Sequence, residues 1–290
     1  MTTVGQWVQG ARPRTLPAAV APVVAGTGAA AAASGALWWK ALLALGVSLA
    51  LQVGVNYAND YSDGVRGTDR DRVGPLRLVG SGVAAPATVK RAAWLAFAVA
   101  ALLGLVLAAT SGWWLIGVGA TCVLAAWLYT GGPRPYGYAG LGEVFVFVFF
   151  GLVAVCGTTY VQLGRVTGAA ALCAVAVGLL ACAILVANNL RDIPTDAVAG
   201  KRTLAVRLGE RSTRSLYAAL MTVPALVPVA LATTGHRWAL LGLLAAPAQL
   251  LPVRSVSAGA AGPDLVPVLR ETGRAELAFA VLVGVGLALA

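Results

Sequence analysis

The chain has 290 residues, of which 59% are hydrophobic and 11% charged. A soluble domain carries about 25% charged residues, so this composition excludes an ordinary soluble enzyme and describes one polytopic membrane domain, residues 1–290. The net charge of +10 suits either nucleic acid or an anionic membrane as partner, and its distribution along the chain decides between them.

Nine apolar runs are predicted to span a bilayer as helices, at residues 15–34, 39–58, 92–110, 112–130, 141–163, 167–187, 216–234, 237–254 and 275–290. Each approaches the length a helix needs to cross about 30 Å of hydrocarbon. The runs are continuous rather than alternating, which predicts an all-α bundle, not a barrel. The first run, Leu16 to Ala33, exceeds the apolar region of a signal peptide and opens on Pro13 and Pro17, so it is read as a retained span. Cys122, Cys156, Cys173 and Cys182 fall inside apolar runs without metal-ligand spacing and read as core residues. His236 lies in a short loop and is assigned no role.

With the N-terminus placed in the cytoplasm, 18 of the 21 Lys and Arg fall on the inner side, leaving Lys40, Arg165 and Arg237 outside. That is a strong positive-inside bias. Topology therefore accounts for the basic charge, and nucleic acid is not required. The 11 acids, from Asp60 to Glu276, are expected on or near the inner face. Chemistry is thus expected on the cytoplasmic side.

Two of the runs end in similar polar clusters. Span two leads into Asn56, Asp60 and Asp63; span six leads into Asn188, Asp192 and Asp196. Spacings of four and three, and of four and four, place each set on one helix face. Carboxylates are costly at a membrane unless they hold something. Oxygen-only donor sets suit Mg²⁺, which shares its shell with water and substrate phosphate. Basic residues accompany both clusters: Arg66, Arg70 and Arg72 the first, Arg191, Lys201 and Arg202 the second. Such cations bind phosphate and stabilise a leaving diphosphate. Acids for a cation pair and bases for phosphate, opposed across a bundle, describe a lipid-diphosphate site. The loop Tyr129 to Tyr138, with Glu143 beyond it, either lines the substrate pocket or forms only a turn with interfacial tyrosines.

At these residues the chain resembles the UbiA superfamily of intramembrane aromatic prenyltransferases. Its members carry an Asn-x-x-x-Asp-x-x-Asp motif and a second Asp-rich motif, and fold as nine-helix bundles. The first motif matches at Asn56, Asp60 and Asp63; the second matches at Asp192 and Asp196, with Asn188 where some relatives have Asp. Segments 11–17, 59–69, 129–133, 188–192 and 200–204 resemble the branch that prenylates 1,4-dihydroxy-2-naphthoate in menaquinone synthesis. The resemblance implies Mg²⁺, two ions, held through diphosphate by Asn56, Asp60, Asp63, Asn188, Asp192 and Asp196, with the four aspartates catalytic. It implies diphosphate contacts from Arg66, Arg191, Lys201 and Arg202, and an acceptor pocket including Arg14, Tyr129 and Tyr136. The implied reaction joins a polyprenyl diphosphate to the naphthoate with loss of diphosphate and CO₂, giving demethylmenaquinone, in the plasma membrane of a bacterium. Phe145, Phe147 and Phe149 are candidates to shield the allylic cation, yet residues two apart on a helix cannot all face one pocket.

Three other functions share parts of this pattern. Another aromatic acceptor such as 4-hydroxybenzoate fits the same clusters. CDP-alcohol phosphotransferases share an Asp-x-x-Asp-Gly run, matched by Asp60 to Gly64, but their motif continues with further acids nearby, whereas here the second cluster lies far along the chain. A transporter would place its acids near the bilayer midplane, not at span ends.

Overall fold

The computed structural model describes residues 2–68 and 76–290, and within them every regular element is a helix. A short helix, α1 (Val4–Gly10), starts at Thr3, whose side chain and that of Gln6 form a reciprocal cap. The chain then bends by 49° into α2 (Pro17–Ala32). Arg12 makes this corner in the left-handed region, φ 55°; the proline that follows disfavours the right-handed α conformation there.

Eight further helices follow: α3 (Trp38–Arg66), α4 (Pro86–Ser111), α5 (Leu115–Leu128), α6 (Gly142–Leu163), α7 (Gly168–Val198), α8 (Leu204–Thr233), α9 (Arg237–Ser257) and α10 (Leu265–Ala288). Helices α2 to α10 answer the nine predicted runs one for one. Six of them are long and apolar enough to cross a membrane, and α2 joined to the bent segment before it makes a seventh. Helix α5 has 14 residues and reaches only about 21 Å. Helix α10 carries Arg270, Glu271, Arg274 and Glu276 in its first half.

The boundaries shift in one direction. Helix α3 runs on to Arg66 and α7 to Val198, through the polar clusters that ended the apolar runs. Hydropathy falls there, but the backbone stays helical because the polar side chains are themselves buried against other elements. Helix α8 likewise starts at Leu204, with a break at Gly209 (φ 74°).

Helix α7 is the hub: 67% of its apolar window is buried, against 28–39% in the other spans. Ala170, Cys173, Ala174, Val177, Leu180 and Val186 fill the main core with Phe279 and Val283 of α10. Small residues allow close approach where tails of lipid supply no hydrophobic drive. A Cβ on Gly28 of α2 would stand 2.6 Å from the Gly284 carbonyl oxygen of α10, and one on Gly151 would stand 2.6 Å from that of Ala174. Gly151 sits in a π-wound stretch of α6, Phe147–Cys156.

Leu95, Leu102, Leu124, Leu244 and Leu251 point outward, as expected of a surface solvated by lipid. One end of the bundle is ringed by exposed tryptophans: Trp38 and Trp39 at the start of α3, Trp113 and Trp114 before α5, and Trp238 in α9. Lys40, expected at the outer surface, is buried at that end. Its ammonium donates to the Thr110 carbonyl (3.0 Å) and Ser111 hydroxyl (2.8 Å), satisfying the C-terminus of α4.

Candidate active site

The two clusters meet at the opposite end. Helices α3 and α7 each present their last turns there, and the side chains of Asp63 and Asp196 share one cation. The Lys201 ammonium stands 3.5 Å from Asp63 Oδ1 and 3.9 Å from Asp196 Oδ1. Lys201 is buried, as are both carboxylates. Gly200 (φ 75°) turns the chain just past α7 so that Lys201 points back over the helix end.

Each member of the first cluster has its own partner. Asn56 donates to the Ala11 carbonyl (2.9 Å) and Thr15 hydroxyl (3.0 Å), fastening α3 to the corner before α2. Asp60 accepts the backbone N–H groups of Leu78 (2.7 Å) and Val79 (3.0 Å). Asp63 accepts the Tyr138 hydroxyl and lies 3.8 Å from the Arg77 guanidinium. In the second cluster, Arg191 grips both oxygens of Asp192 (2.7 and 2.8 Å) and the Asn188 oxygen (2.7 Å).

The loop between α5 and α6 closes over this centre. Arg66 donates to the carbonyls of Thr130 and Gly132, and Thr130 donates to Asn59 at 2.9 Å. Tyr138 carries its ring 4.7 Å from the Lys201 ammonium and 5.4 Å from the Arg66 guanidinium. Its carbonyl accepts the backbone N–H of Arg202 at 2.9 Å. Burial, with Asp63 alongside, pushes the Tyr138 phenol well above its ordinary range. The Tyr129 phenol is raised by burial first and then by the charges of Glu143, Asp63 and Asp196, which all bear on it. The loop is therefore part of the site and not only a turn.

Tyr136 donates to the Ala125 carbonyl (2.8 Å) and stacks on Phe145 at 3.9 Å, while Tyr138 reaches Asp63. Arg14 is exposed, while Arg12 at the corner acts electrostatically on Asp60. Arg66 and Arg191 are engaged in holding the loop and the second cluster, and the Arg202 side chain is exposed. Arg70 and Arg72 lie outside the described residues. Phe145 and Phe149 stack on one face of α6, and Phe147 turns toward Gly178 of α7, as the spacing required. Glu276, expected near the inner face, is fully buried in α10, with neither carboxyl oxygen hydrogen-bonded. It lies eleven residues into the helix, roughly 17 Å from its start. Arg77 and Tyr138 went unassigned in the sequence; the signal for both was weak, an isolated base in a loop and one of three tyrosines.

No group of three or more acidic, His or Cys side chains converges into a closed metal shell among the described residues. The donor set still fits a divalent ion of the Mg²⁺ kind, which takes few protein oxygens and completes its shell with water and phosphate. A cation, the Lys201 ammonium, already bridges the two clusters.

An all-helical bundle with opposed Asn/Asp clusters beneath a tyrosine-bearing loop defines a class. The chain belongs to the UbiA prenyltransferase family, whose model matches residues 19–260. It is 59% identical over 288 residues to 1,4-dihydroxy-2-naphthoate octaprenyltransferase of Mycobacterium tuberculosis, covering 99% of this chain and 98% of that one. The enzyme of the same description from Escherichia coli is 39% identical, with 97% and 94% covered. The fold matches that of a UbiA homologue from Archaeoglobus fulgidus solved with GPP and Mg²⁺ (TM-score 0.68, 14% identity, 98% and 100% covered).

Proposed function

We propose that this protein transfers a polyprenyl group from an allylic polyprenyl diphosphate to 1,4-dihydroxy-2-naphthoate. The observation that carries the reading is the meeting of Asp63 and Asp196 from two different helices around one buried cation. The full-length similarity to naphthoate octaprenyltransferases favours this acceptor over 4-hydroxybenzoate. Clusters on separate helices disfavour the CDP-alcohol rival.

In this reading Asn56, Asp60, Asp63, Asn188, Asp192 and Asp196 would hold Mg²⁺, which when bound would supply positive charge to the departing diphosphate. Lys201, Arg191 and Arg66 add charge that attracts the phosphate oxygens. Tyr138 and the loop around it exclude water from the carbon that becomes cationic. The C–O bond of the allylic diphosphate breaks with its electron pair leaving on oxygen. The ring carbon bearing the carboxylate forms the new C–C bond, and CO₂ leaves with its bonding pair restoring the aromatic ring. The chain is placed with nine spans, its N-terminus and active site cytoplasmic, in a bacterial plasma membrane; the 18-to-3 division of Lys and Arg supports this orientation.

Purified protein incubated with MgCl₂, dihydroxynaphthoate and a polyprenyl diphosphate is expected to yield the prenylated naphthalenediol, detected by mass spectrometry as the diol or, after oxidation by air, as the naphthoquinone. Product from 4-hydroxybenzoate alone would overturn the acceptor assignment.

A further inference from the structure

Below the second cluster lies a carboxylate that the diphosphate chemistry does not use. Glu143 stands in the first turn of α6. Its Oε1 accepts the side-chain amide of Asn189 at 3.0 Å, and its backbone carbonyl accepts the Cys182 thiol at 3.1 Å. Asn189 is buried and adjoins Asn188, so the second cluster and Glu143 are joined through one residue of α7. Glu143 itself is only partly enclosed, so its carboxylate keeps an open side. Tyr129 lies against this turn, its hydroxyl 3.5 Å from where a Cβ on Gly142 would stand, and the charges of Glu143, Asp63 and Asp196 all bear on it. The rings of Tyr129, Tyr136 and Phe145 form a continuous aromatic wall beside it, with centroids 5.5 and 3.9 Å apart.

A partly exposed carboxylate, held by one side-chain amide and flanked by aromatic rings, matches a hydroxylated aromatic ring. The geometry assigns to Glu143 the role of base and hydrogen-bond acceptor for the acceptor's ring hydroxyl, with Asn189 as its positioning residue. This rests on the prenyl-transfer reading above. The carbon that attacks must lie next to the diphosphate held by the clusters, and Glu143 is one residue contact away from them. As the C–C bond forms, Glu143 takes the proton of the hydroxyl beside the attacked carbon, and the oxygen's electron pair feeds the ring. When CO₂ departs and the ring becomes aromatic again, the proton returns to that oxygen. Atoms and charge balance without any further reactant.

The bland alternative is an acid that only favours the positive end of the α6 dipole. The two roles separate in kinetics. With wild-type protein, MgCl₂, geranyl diphosphate and dihydroxynaphthoate, turnover first establishes that the transfer reading holds; no naphthoate product there defeats that reading, and this inference with it. Given turnover, Glu143→Gln is expected to lower kcat about 100-fold, in the range typical of a lost general base, with the KM for geranyl diphosphate unchanged. Glu143→Asp is expected to recover part of the loss. Asn189→Ser, which keeps the carboxylate but frees it, is expected to raise the KM for the naphthoate and lower kcat about 10-fold, and it serves also if Glu143→Gln does not fold. A kcat within threefold of wild type in the folded Glu143→Gln protein, or in Asn189→Ser where that protein is absent, overturns the assignment. So does a rise in the geranyl diphosphate KM that accounts for the whole defect.

Discussion

Removing the ammonium that bridges the clusters isolates its role. In Lys201→Met the chain keeps the length of the side chain and loses its charge. At 3.5 and 3.9 Å from Asp63 and Asp196, the two attractions are about 5 and about 4 kcal/mol at an effective dielectric of about 20. Desolvation of the three buried groups offsets much of that, so the net cost of deleting one partner is roughly 3–5 kcal/mol. The loss arises because the two carboxylates then lose the one cation they share, although Arg77 stays 3.8 Å from Asp63. A bound divalent cation relieves the same repulsion, so the deficit is expected to shrink when metal is present. The assay is thermal unfolding of purified wild-type and variant protein in detergent, with EDTA or with MgCl₂ and geranyl diphosphate. The variant is expected to melt several degrees lower in EDTA and to recover most of that difference with metal and diphosphate. An equal deficit under both conditions would refute the bridging role and make Lys201 a packing residue.

Other substitutions test other parts of the argument. Asp60→Asn and Asp192→Asn are each expected to lose most activity, about 100-fold or more in kcat, while still eluting as folded protein in size-exclusion chromatography; near wild-type turnover in either would sink the two-cluster model. Tyr138→Phe removes the hydroxyl that meets Asp63 but leaves the ring over Lys201, so prenyl transfer is expected to drop while thermal stability changes by less than about 1.5 kcal/mol, the net worth of one hydrogen bond. Glu276→Met replaces a buried carboxyl with two unsatisfied oxygens and is expected to stabilise the protein by about 1–3 kcal/mol, read as a higher melting temperature. Gly28→Ala drives a methyl against the Gly284 backbone and is expected to destabilise by about 1–3 kcal/mol; an unchanged melting temperature would show that α2 and α10 can part at no cost.

The sequence carried the helices well because a bilayer leaves few alternatives: each apolar run falls on one of the helices α2 to α10 among the described residues, six of which are long and apolar enough to span. Their ends were misjudged wherever polar side chains are buried. Hydropathy stops at Ala58 or Ala187, yet α3 and α7 continue through Asp60, Asp63, Asp192 and Asp196, which find partners inside the protein. The acid clusters were legible because acids are scarce and their spacing repeats. Which base serves which acid was not, since Lys201 reaches Asp63 across 138 positions and Arg12 reaches Asp60 by way of a left-handed corner. Tyr138 was hidden among neighbouring tyrosines that differ only in the direction the loop gives them. Glu276 escaped altogether, because a charge count assigns residues to sides of a membrane and is blind to depth.

The ring of tryptophans at one end has a practical meaning. Five of the eight tryptophans, Trp38, Trp39, Trp113, Trp114 and Trp238, are exposed at the end of the bundle remote from the acids. Most of the protein's intrinsic fluorescence therefore arises at one surface, far from the chemistry. In vesicles with a single known orientation, a quencher confined to one side should dim the emission strongly from one compartment and weakly from the other. The molecule carries its own optical marker of which way up it was inserted, with no label or added tag.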